Sequence, residues 1–591
     1  MLKLLRRMRR RELITAALCA LLVLGQIYFD LALPDYMTDL TTLIKTPGSL
    51  PADIAAVGGR MLLCALASAV LAITAGFLAA RTAAGFSFSV REDLFHHVMM
   101  LGSAEMQEFS VPSLITRTTN DITQIQMVIA MGLQMVIKAP VMAVWAVAKI
   151  LGKSWELSAV TAAVVVVLCV TILCVLRVCL PRFRIVQKLT DQINRVAREN
   201  LTGINVVHAF NAEGYQNEKF DGFSRDMMDT QMKNQKLFSL IQPVLSLGMN
   251  GLSLAVYWVG AALVQRTADA AGRLAMFTNV VVFSTYATYV VMSFMMLVMI
   301  FMLAPAAQVS AERIGRVLEA QPAVTPGQAQ DAPEAGTVEF RDVSFRYPGA
   351  QDDALSHISF RVGKGQTLAI IGATGSGKST LIGLIPRFYD VTGGQVLVDG
   401  RDVREFTFDA LYDRLGYVTQ KATLFSGTVQ SNVFFGSGSA PETDETLQKA
   451  LDLSQAAEFV NSYPEGAQHR IAQLGRNVSG GQKQRLAIAR ALARGAEILV
   501  FDDSFSALDY RTDAKLRAGL AAQMAGVTKI IVAQRISTIR HADEILVLER
   551  GELVGRGTHE ELLRSCEVYR EIASSQLSQQ EQQEGGAAHE A

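Results

Sequence analysis

Cysteine is scarce in this sequence, and its few cysteines lack the spacing of a zinc site or of a disulfide framework. Six occur among 591 residues. Cys566 lies near the end of the polar half of the chain, and five lie in apolar segments: Cys19, Cys64, Cys169, Cys174 and Cys179. We therefore exclude a cysteine-stapled scaffold and expect buried, reduced thiols.

Net charge is also absent, because 55 lysines and arginines balance 55 aspartates and glutamates. A neutral chain is a poor partner for nucleic acid, so we expect none as its main ligand. The average conceals two different halves. Residues 1–306 contain long apolar runs, whereas residues 337–575 have the composition of a soluble α/β domain. The chain therefore combines a membrane half with a soluble half.

The membrane half contains six apolar runs that are long enough to cross a bilayer. The first, from Leu13 to about Leu33, follows the basic segment 1–12, and no small-residue cleavage site ends it, so we expect a retained span. The other five are predicted at 54–80, 128–150, 157–180, 238–265 and 276–306. The basic N-terminus belongs on the cytoplasmic side. We expect a multi-pass protein among the lipids of the cytoplasmic membrane, with its soluble half in the cytosol.

Two long cytoplasmic connections, 81–127 and 181–237, are polar with helical spacing. They predict pairs of spans that continue into the cytosol as helices and are joined by short turns. Within the spans, Arg177 lies near an inner end and can extend to the interface. Lys138 lies nearer the middle of its span and is a candidate for a translocation cavity.

Methionine is abundant in the sixth span, at spacings of three and four residues. Two explanations remain open. The methionines pack against neighbouring helices, or their flexible thioethers line a pocket that accepts varied apolar ligands. The stretch contains Met292, Met295, Met296, Met299 and Met302.

The soluble half contains a phosphate-binding sequence, G-x-x-x-x-G-K-S, between an apolar strand at 367–371 and an apolar helix start at 381–385. Its glycines let backbone N–H groups face phosphate oxygens at a helix N-terminus. Lys378 neutralises the β- and γ-phosphates, and the Ser379 hydroxyl holds Mg²⁺. The candidate nucleotide-binding residues here are Gly372, Thr374, Gly375, Ser376, Gly377, Lys378, Ser379 and Thr380.

Two further residues complete the predicted ATP and Mg²⁺ site. Tyr347 ends an alternating strand before a Pro-Gly turn, where an aromatic ring can stack on adenine for about 1–3 kcal/mol. Asp502 ends the apolar strand 498–501 and is placed to hold Mg²⁺ through water.

The domain boundaries follow from composition. We predict a basic cytoplasmic segment at 1–12, a transmembrane domain at 13–320, a Pro/Gly-rich linker at 321–336 and a nucleotide-binding domain at 337–575. Residues 576–591 are rich in Gln, Glu, Gly and Ala and are predicted to be disordered.

The stretch Val478-Ser-Gly-Gly-Gln482 is close to the signature of ABC domains, and Ser506-Ala-Leu-Asp509 matches their D-loop. With the stretches at 117–121 and 203–213, nearly the whole chain resembles an ABC exporter half-transporter. The resemblance implies an α-helical six-span domain fused to an α/β P-loop ABC domain, with cytoplasmic turns that form coupling helices.

The resemblance also implies roles for several residues. Gln420 reaches Mg²⁺ and the attacking water, so it joins Ser379 and Asp502 as a metal-site residue. The signature caps the γ-phosphate bound to the opposite subunit, which implies a dimer. Its residues here are Ser479, Gly480, Gly481 and Gln482.

Two residues depart from the family pattern at the catalytic position, where we place Asp503, Gln534 and Gln420. Asp503 stands where most members have glutamate. Aspartate is one methylene shorter, so its carboxylate is withdrawn by about 1.5 Å, and a misplacement of about 1 Å can lower the rate a hundredfold. Gln534 stands where histidine is usual and cannot carry a positive charge. This combination resembles the degenerate-site subunit of heterodimeric multidrug exporters.

The sequence therefore predicts ATP-driven export of a small amphipathic substrate, together with a different half-transporter that carries the glutamate and the histidine. Three alternatives remain: a homodimeric exporter with two slow sites, an importer on the same fold, and an ATP sensor that regulates a partner and moves nothing.

Overall fold

The chain divides into two units in the computed structural model, which describes residues 2–45, 50–151, 154–267, 269–436, 438 and 440–576. The first unit comprises the residues up to Val98 together with Pro112–Glu319. The second comprises Met99–Val111 and the residues from Ala320 onward. The predicted tail at 576–591 lies outside the described residues beyond Gln576.

Helices form all the regular structure among the described residues before 320. A π-helical turn, Arg117–Asp121, lies between α5 and α6. The helices are α1 Leu2–Leu5, α2 Arg10–Lys45, α3 Pro51–Met100, α4 Ser103–Phe109, α5 Val111–Thr116, α6 Ile122–Leu151, α7 Trp155–Thr202, α8 Ile204–Ala209, α9 Glu213–Ser239, α10 Ile241–Arg266 and α11 Ala270–Glu319.

Six helical stretches within the described residues are long and apolar enough to cross a membrane, as the apolar runs predict. Helices suit this task because they satisfy their backbone hydrogen bonds internally. α3 has 50 residues and is therefore about 75 Å long, more than twice the hydrocarbon core of a bilayer. The stretches are Arg10–Ile44, Pro51–Met100, Val111–Leu151, Trp155–Thr202, Glu213–Arg266 and Gly272–Glu319.

The core of the first unit lies where α11 packs against α6 and α2. Phe283 and Tyr286 of α11 are fully buried there. The expectation of buried thiols is correct for Cys19 and Cys179 but wrong for Cys174, which is exposed. Cys174 lies on an outward face of α7, and such a face of a membrane span meets lipid or another chain rather than its own core.

The second unit contains a six-stranded sheet in the order β12-β11-β3-β10-β9-β6, a four-stranded sheet in the order β2-β1-β4-β5, and the small pair β7-β8. The strands are β1 Val338–Phe345, β2 Leu355–Val362, β3 Thr367–Gly372, β4 Gly393–Val398, β5 Arg401–Asp402, β6 Leu415–Val418, β7 Gly427–Thr428, β8 Arg470–Ile471, β9 Ile498–Asp502, β10 Thr528–Val532, β11 Glu544–Glu549 and β12 Glu552–Gly557.

Nine α-helices with defined ends accompany these strands in the described part of the second unit, besides α4 and a last helical stretch at 567–576. They are α12 Lys378–Gly383, α13 Phe408–Asp413, α14 Val429–Val433, α15 Asp444–Leu453, α16 Ala457–Asn461, α17 Gly480–Ala493, α18 Tyr510–Gln523, α19 Ile536–Ile539 and α20 His559–Ser565.

Parallel pairing of β3, β10, β9 and β6 determines where the site lies. Because the carboxyl ends of parallel strands share one edge of a sheet, the residues that follow these strands come together. The phosphate loop follows β3, Asp502 ends β9, and Gln534 and Gln420 come shortly after β10 and β6.

The segment predicted as a linker, 321–336, is bonded to the second unit. The backbone N–H groups of Gly327 and Gln328 donate to the carbonyls of Phe406 and Glu405, each at 2.8 Å. Gly327 is needed here because a Cβ atom would lie 2.1 Å from the Glu405 carbonyl oxygen. The Pro/Gly-rich composition therefore reflects close packing of irregular backbone against the segment 405–406, which follows β5.

The short helix α4 clusters with the nucleotide-binding unit. The buried Glu105 carboxylate accepts hydrogen bonds from the Ala323 N–H at 3.0 Å and the Gly102 N–H at 2.8 Å. The short helix of the first cytoplasmic connection is thus 103–109, whereas the stretch 117–121 lies beyond it, as a π-helical turn on the returning helix. In the second connection, α8 lies within the stretch 203–213.

Candidate nucleotide-binding site

The phosphate loop has a backbone that only glycine accommodates easily. Gly375 and Gly377 have φ angles of +83° and +96°, in the left-handed region that disfavours a side chain. A Cβ atom on Gly372 would lie 2.1 Å from the Leu548 carbonyl oxygen. The loop leads directly into α12, which begins at Lys378, and the N–H groups at the start of this helix form an anion-binding end.

Lys378 folds its ammonium group over this loop. Its Nζ donates to the carbonyl oxygens of Gly372 at 2.9 Å and Ala373 at 2.7 Å and lies 3.5 Å from the Ser376 Oγ. Burial lowers the pKa of Lys378, and the nearby carboxylates of Asp503 and Asp502 oppose that shift. A buried cation beside a ring of backbone N–H groups can neutralise phosphate oxygens.

Ser379 and Asp502 form a pair of oxygen ligands next to the loop. The Ser379 Oγ donates to the Asp502 Oδ1 at 3.0 Å. Burial raises the pKa of Asp502, and the hydrogen bond from Ser379 lowers it. A hydroxyl and a carboxylate are the ligands that Mg²⁺ takes when nucleotide phosphates supply the rest of its shell, so these residues fit that metal.

Tyr347 is tied to the last residue of the phosphate loop. Its hydroxyl lies 3.0 Å from the Thr380 Oγ1. Its half-buried ring meets the rings of Phe345 and Tyr389 edge-on, at centroid distances of 4.9 and 5.4 Å. The ring is therefore held in place beside the site, where an adenine base can stack on it.

The three predicted catalytic residues meet at one carboxylate. The Gln534 Nε2 donates to the Asp503 Oδ2 at 2.9 Å, and the Gln420 side chain also hydrogen-bonds to Asp503. Asp503 is buried and has a φ of +46°. Burial raises its pKa, and hydrogen bonds from Ser506 and Gln420 lower it. Two neutral amides thus hold the carboxylate that follows β9.

The signature forms an N-terminal cap for α17. The Ser479 Oγ accepts from the Gln482 N–H at 3.3 Å, and the Gln482 Oε1 accepts from the Ser479 N–H at 2.8 Å, which is a capping box. A Cβ atom on Gly480 would meet nothing within 4 Å. Ser479 and Gly480 are exposed, so this turn presents a hydroxyl and a helix N-terminus to solvent.

The described residues contain no group of three or more His, Cys, Asp or Glu side chains that could hold a metal ion.

The sequence analysis missed two carboxylates within the first span. Asp30 pairs with Lys138 at 3.2 Å, and Asp35 pairs with Lys149 at 2.6 Å. The signal was available, because an aspartate in an apolar helix requires a partner, and both lysines lie in the third span. Arg177 is exposed on α7. Among the methionines, Met295 packs against the core, whereas Met292 and Met299 are exposed.

Both halves of the chain match known families. The model of the ABC transporter transmembrane region matches residues 13–294, and that of the ABC transporter domain matches residues 355–506. The chain is 38% identical over 568 residues to an uncharacterized ABC transporter ATP-binding protein of Mycobacterium tuberculosis, which covers 95% of this chain and 96% of that protein.

Two other relatives cover most of the chain. The ABC transporter ATP-binding protein YfiB of Bacillus subtilis is 35% identical over 515 residues, 86% of this chain and 88% of that protein. An ATP-dependent lipid A-core flippase of Pseudomonas putida is 32% identical over 504 residues, 85% and 82% of the two chains.

The fold is similar to that of a solved bacterial Atm1-family ABC exporter with ATP bound, with a TM-score of 0.77, 24% identity and coverage of 96% of this chain and 98% of that one. The described fold, the geometry of the phosphate loop and these similarities agree. The chain therefore belongs to the ABC transporter family, as a multi-pass membrane protein that joins six spans of the exporter fold to its own ABC ATPase unit for ATP-driven transport.

Proposed function

We propose that this chain is the degenerate-site subunit of a two-chain ABC exporter, which moves a small amphipathic substrate out across the cytoplasmic membrane. The observation that carries the proposal is the capture of the Asp503 carboxylate by the amide of Gln534, with Gln420 as a second donor.

Slow cleavage follows from the reach and the charge of these side chains. Aspartate is one methylene shorter than glutamate, so its carboxylate is about 1.5 Å farther from an attacking water, and a shift of about 1 Å can cost a hundredfold. Gln534 donates a hydrogen bond to that carboxylate and cannot become a cation that stabilises the γ-phosphate.

Firm binding follows from the intact phosphate loop. Lys378, the loop N–H groups and the start of α12 bind the phosphates, while Tyr347 supports the base. Ser379, Asp502 and Gln420 would hold Mg²⁺, which supplies electrostatic neutralisation of the phosphate charge when it is bound. This combination binds ATP and retains it.

The signature supplies the other half of the proposal. Ser479 is exposed at an ordered helix start, so it is available to a nucleotide held by another chain. A partner with glutamate and histidine at the matching positions then provides the faster site, and this chain's signature completes that site. Hydrolysis there resets the transporter.

The substrate class rests on the membrane unit. The spans carry ion pairs within otherwise apolar helices, an arrangement suited to a molecule with both polar and apolar parts. One relative is named a lipid A-core flippase, and a lipid is amphipathic. We extend that chemistry to this chain as a substrate class only.

The test uses the assembly purified through a tag on this chain from the cells that produce it naturally. Native mass determination is expected to give one copy of this chain with one different half-transporter. Ser479→Asn, which retains the helix cap, is expected to remove most of the ATP hydrolysis. Asp503→Asn is expected to leave most of it, because the main site belongs to the partner.

Thr558→Ala is a matched control for the cap, since Thr558 forms a capping box on α20, away from the signature. It is expected to leave hydrolysis unchanged. Equal losses for Ser479→Asn and Asp503→Asn, in an assembly of two identical chains, would overturn the proposal in favour of a homodimer.

A further inference from the structure

Two ion pairs join α2 to α6 within the membrane-spanning unit. Asp30 and Lys138 are 3.2 Å apart, and each side chain is only 19% exposed. Asp35 and Lys149 are 2.6 Å apart and about 40% exposed. Charges inside a span are costly unless they are paired, and they commonly mark the path of a substrate. The two pairs differ in what their remaining hydrogen-bonding groups do.

The Asp30 carboxylate has little capacity left for a further donor. Its Oδ1 accepts from the Ser68 Oγ at 2.5 Å, and its Oδ2 faces both Lys138 and the Gln26 Nε2, the latter at 3.5 Å. Three donors from α2, α3 and α6 therefore surround this group. A cationic ligand would have to displace one of them.

Lys138 is in the opposite situation. Its ammonium carries three N–H donors. In the described part of the chain, its hydrogen bond is to Asp30. Two donors of this partly buried cation therefore remain for an acceptor that comes from outside the chain, and the local arrangement favours an anion over a cation.

In the second pair, Lys149 also donates to its aspartate, but it is 38% exposed against 19% for Lys138, so water can accept from its other donors. The Asp35 Oδ1 accepts from the Tyr286 hydroxyl at 2.7 Å, and that hydroxyl also lies 2.9 Å from the Leu31 carbonyl oxygen. Tyr286 is fully buried on α11. This pair thus connects α2, α6 and α11, and it serves as an internal comparison for Lys138.

We propose that Lys138 is the recognition point for the anionic headgroup of a transported amphiphile. The inference rests on the proposed export function and deepens it by naming the charge of the substrate. Aromatic surface lies on the same two helices, where Tyr28 and Trp145 have ring centroids 6.1 Å apart. Trp145 follows Lys138 by two helical turns, on the same face of α6, so an apolar chain can lie along it.

Trp145 also provides the measurement. Replacing Trp155 and Trp258 by phenylalanine leaves a single tryptophan, because the chain contains three. The full chain in lipid nanodiscs is titrated with dodecyl phosphate, dodecylphosphocholine and dodecyltrimethylammonium, which share one alkyl chain. The titration of Trp145 fluorescence is expected to show that dodecyl phosphate binds at least about tenfold more tightly than dodecyltrimethylammonium.

Three variants separate recognition from a structural role. Lys138→Met is expected to abolish the preference for the anionic probe. The exchange of Asp30→Lys with Lys138→Asp retains an ion pair and is expected to reverse the preference towards the cationic probe. Lys149→Met removes a cation from the same helix and is expected to leave the preference unchanged.

Equal affinities for the three probes, or an exchanged variant that folds and keeps the original preference, would overturn the inference. If Lys138→Met fails to fold, the exchanged variant still decides the question. ATP-driven movement of dodecyl phosphate is measured separately. Charge-selective binding without movement would contradict export and leave the role of Lys138 in binding intact. Movement without charge selectivity would support export and overturn the role of Lys138.

Discussion

Asp503 has a φ of +46° and a carboxylate that accepts from the Gln534 amide at 2.9 Å. The Asp503 side chain is thus held in position but is one methylene shorter than glutamate, and its neighbour Gln534 is uncharged. At the scale of single residues, we propose that these two side chains determine how fast ATP bound beside them is cleaved. The phosphate loop beside them retains the lysine and hydroxyl that binding requires.

The combined substitution Asp503→Glu with Gln534→His is expected to increase ATP turnover at this site by about tenfold to a hundredfold, because it restores both reach and charge. Steady-state phosphate release measures the change. Asp503→Glu alone is expected to give a smaller gain. No increase in the double variant, with ATP binding preserved, would contradict this account of the site.

Lys378→Ala is expected to remove most ATP affinity, because it deletes the cation that faces the phosphates. Lys515→Ala, at an exposed position on α18, is the matched control and is expected to bind ATP normally. Equilibrium binding of a fluorescent ATP analogue distinguishes them. Equal affinities in the two variants would rule out the proposed role of Lys378.

The stability of the nucleotide-free protein is expected to depend on pH through Asp503. Burial raises its pKa above the unfolded value, so its contribution to stability is present below the unfolded pKa and is lost as pH rises through the folded pKa. Asp503→Asn lacks this loss. Its Tm advantage over the unchanged protein is therefore expected to grow as pH rises from about 4, the unfolded pKa, and to level off above the folded pKa.

Asp509→Asn is the control with the opposite sign. A hydrogen bond from the Thr512 N–H lowers the pKa of Asp509, so its contribution is present above the unfolded pKa and is lost as pH falls through the folded pKa. Asparagine still caps α18. The Tm of the unchanged protein is therefore expected to rise relative to that of Asp509→Asn as pH rises. Parallel Tm curves for Asp503→Asn and Asp509→Asn would contradict the opposite pKa shifts assigned to the two aspartates.

Motif spacing predicted the residues that meet at the carboxyl edge of the sheet, because each directly follows or ends an apolar strand. It did not predict that Gln534 bonds to Asp503, since that contact depends on how two loops bend. The partners of Lys138 and Lys149 were missed because the first span was interpreted as one uniform apolar run.

At the scale of elements, α4 connects the first cytoplasmic connection to the nucleotide-binding unit. Glu105 accepts from two backbone N–H groups, and the Gln107 Nε2 donates to the Tyr389 hydroxyl at 3.2 Å. Tyr389 in turn touches the ring of Tyr347. A continuous set of contacts therefore runs from α4 to Tyr347, the tyrosine that we propose stacks on the adenine base.

Glu105→Ala is expected to lower transport while leaving ATP binding nearly unchanged, because it leaves the N–H groups of Gly102 and Ala323 without an acceptor, at about 1–3 kcal/mol for a buried group. Glu108→Ala, an exposed position on the same helix, is the control. Transport and ATP binding are measured side by side in proteoliposomes. Normal transport by Glu105→Ala would exclude a coupling role for this contact.

The long helices were predictable because the apolar runs are long enough to cross a bilayer and the polar connections between them keep helical spacing. The position of α4 was not, since a seven-residue helix between two turns leaves no periodic signal. The segment 321–336 misled in a similar way. Proline and glycine indicate irregular backbone, but only the fold shows that N–H groups of this segment bond to the carbonyls of Glu405 and Phe406.

At the scale of the whole molecule, six spans and one ATPase unit form half of a transporter, and the direction of transport distinguishes export from its alternatives. In inside-out vesicles that contain the assembly, ATP is expected to drive an amphipathic fluorescent dye into the lumen. Lys378→Ala in this chain is expected to prevent it. Dye extrusion from the same vesicles would indicate import, and no ATP-dependent movement would indicate a regulatory protein.

The central claim is that this chain holds ATP and cleaves it slowly, and single-turnover chemistry tests it most directly. The purified full chain is mixed with less than one equivalent of Mg-ATP, quenched in acid over time, and analysed for ADP. We predict a rate constant far below 1 s⁻¹, on the order of one turnover in minutes, with most nucleotide still present as ATP after the first minute. Conversion at roughly 1 s⁻¹ or faster, within the ordinary enzyme range, would contradict the account.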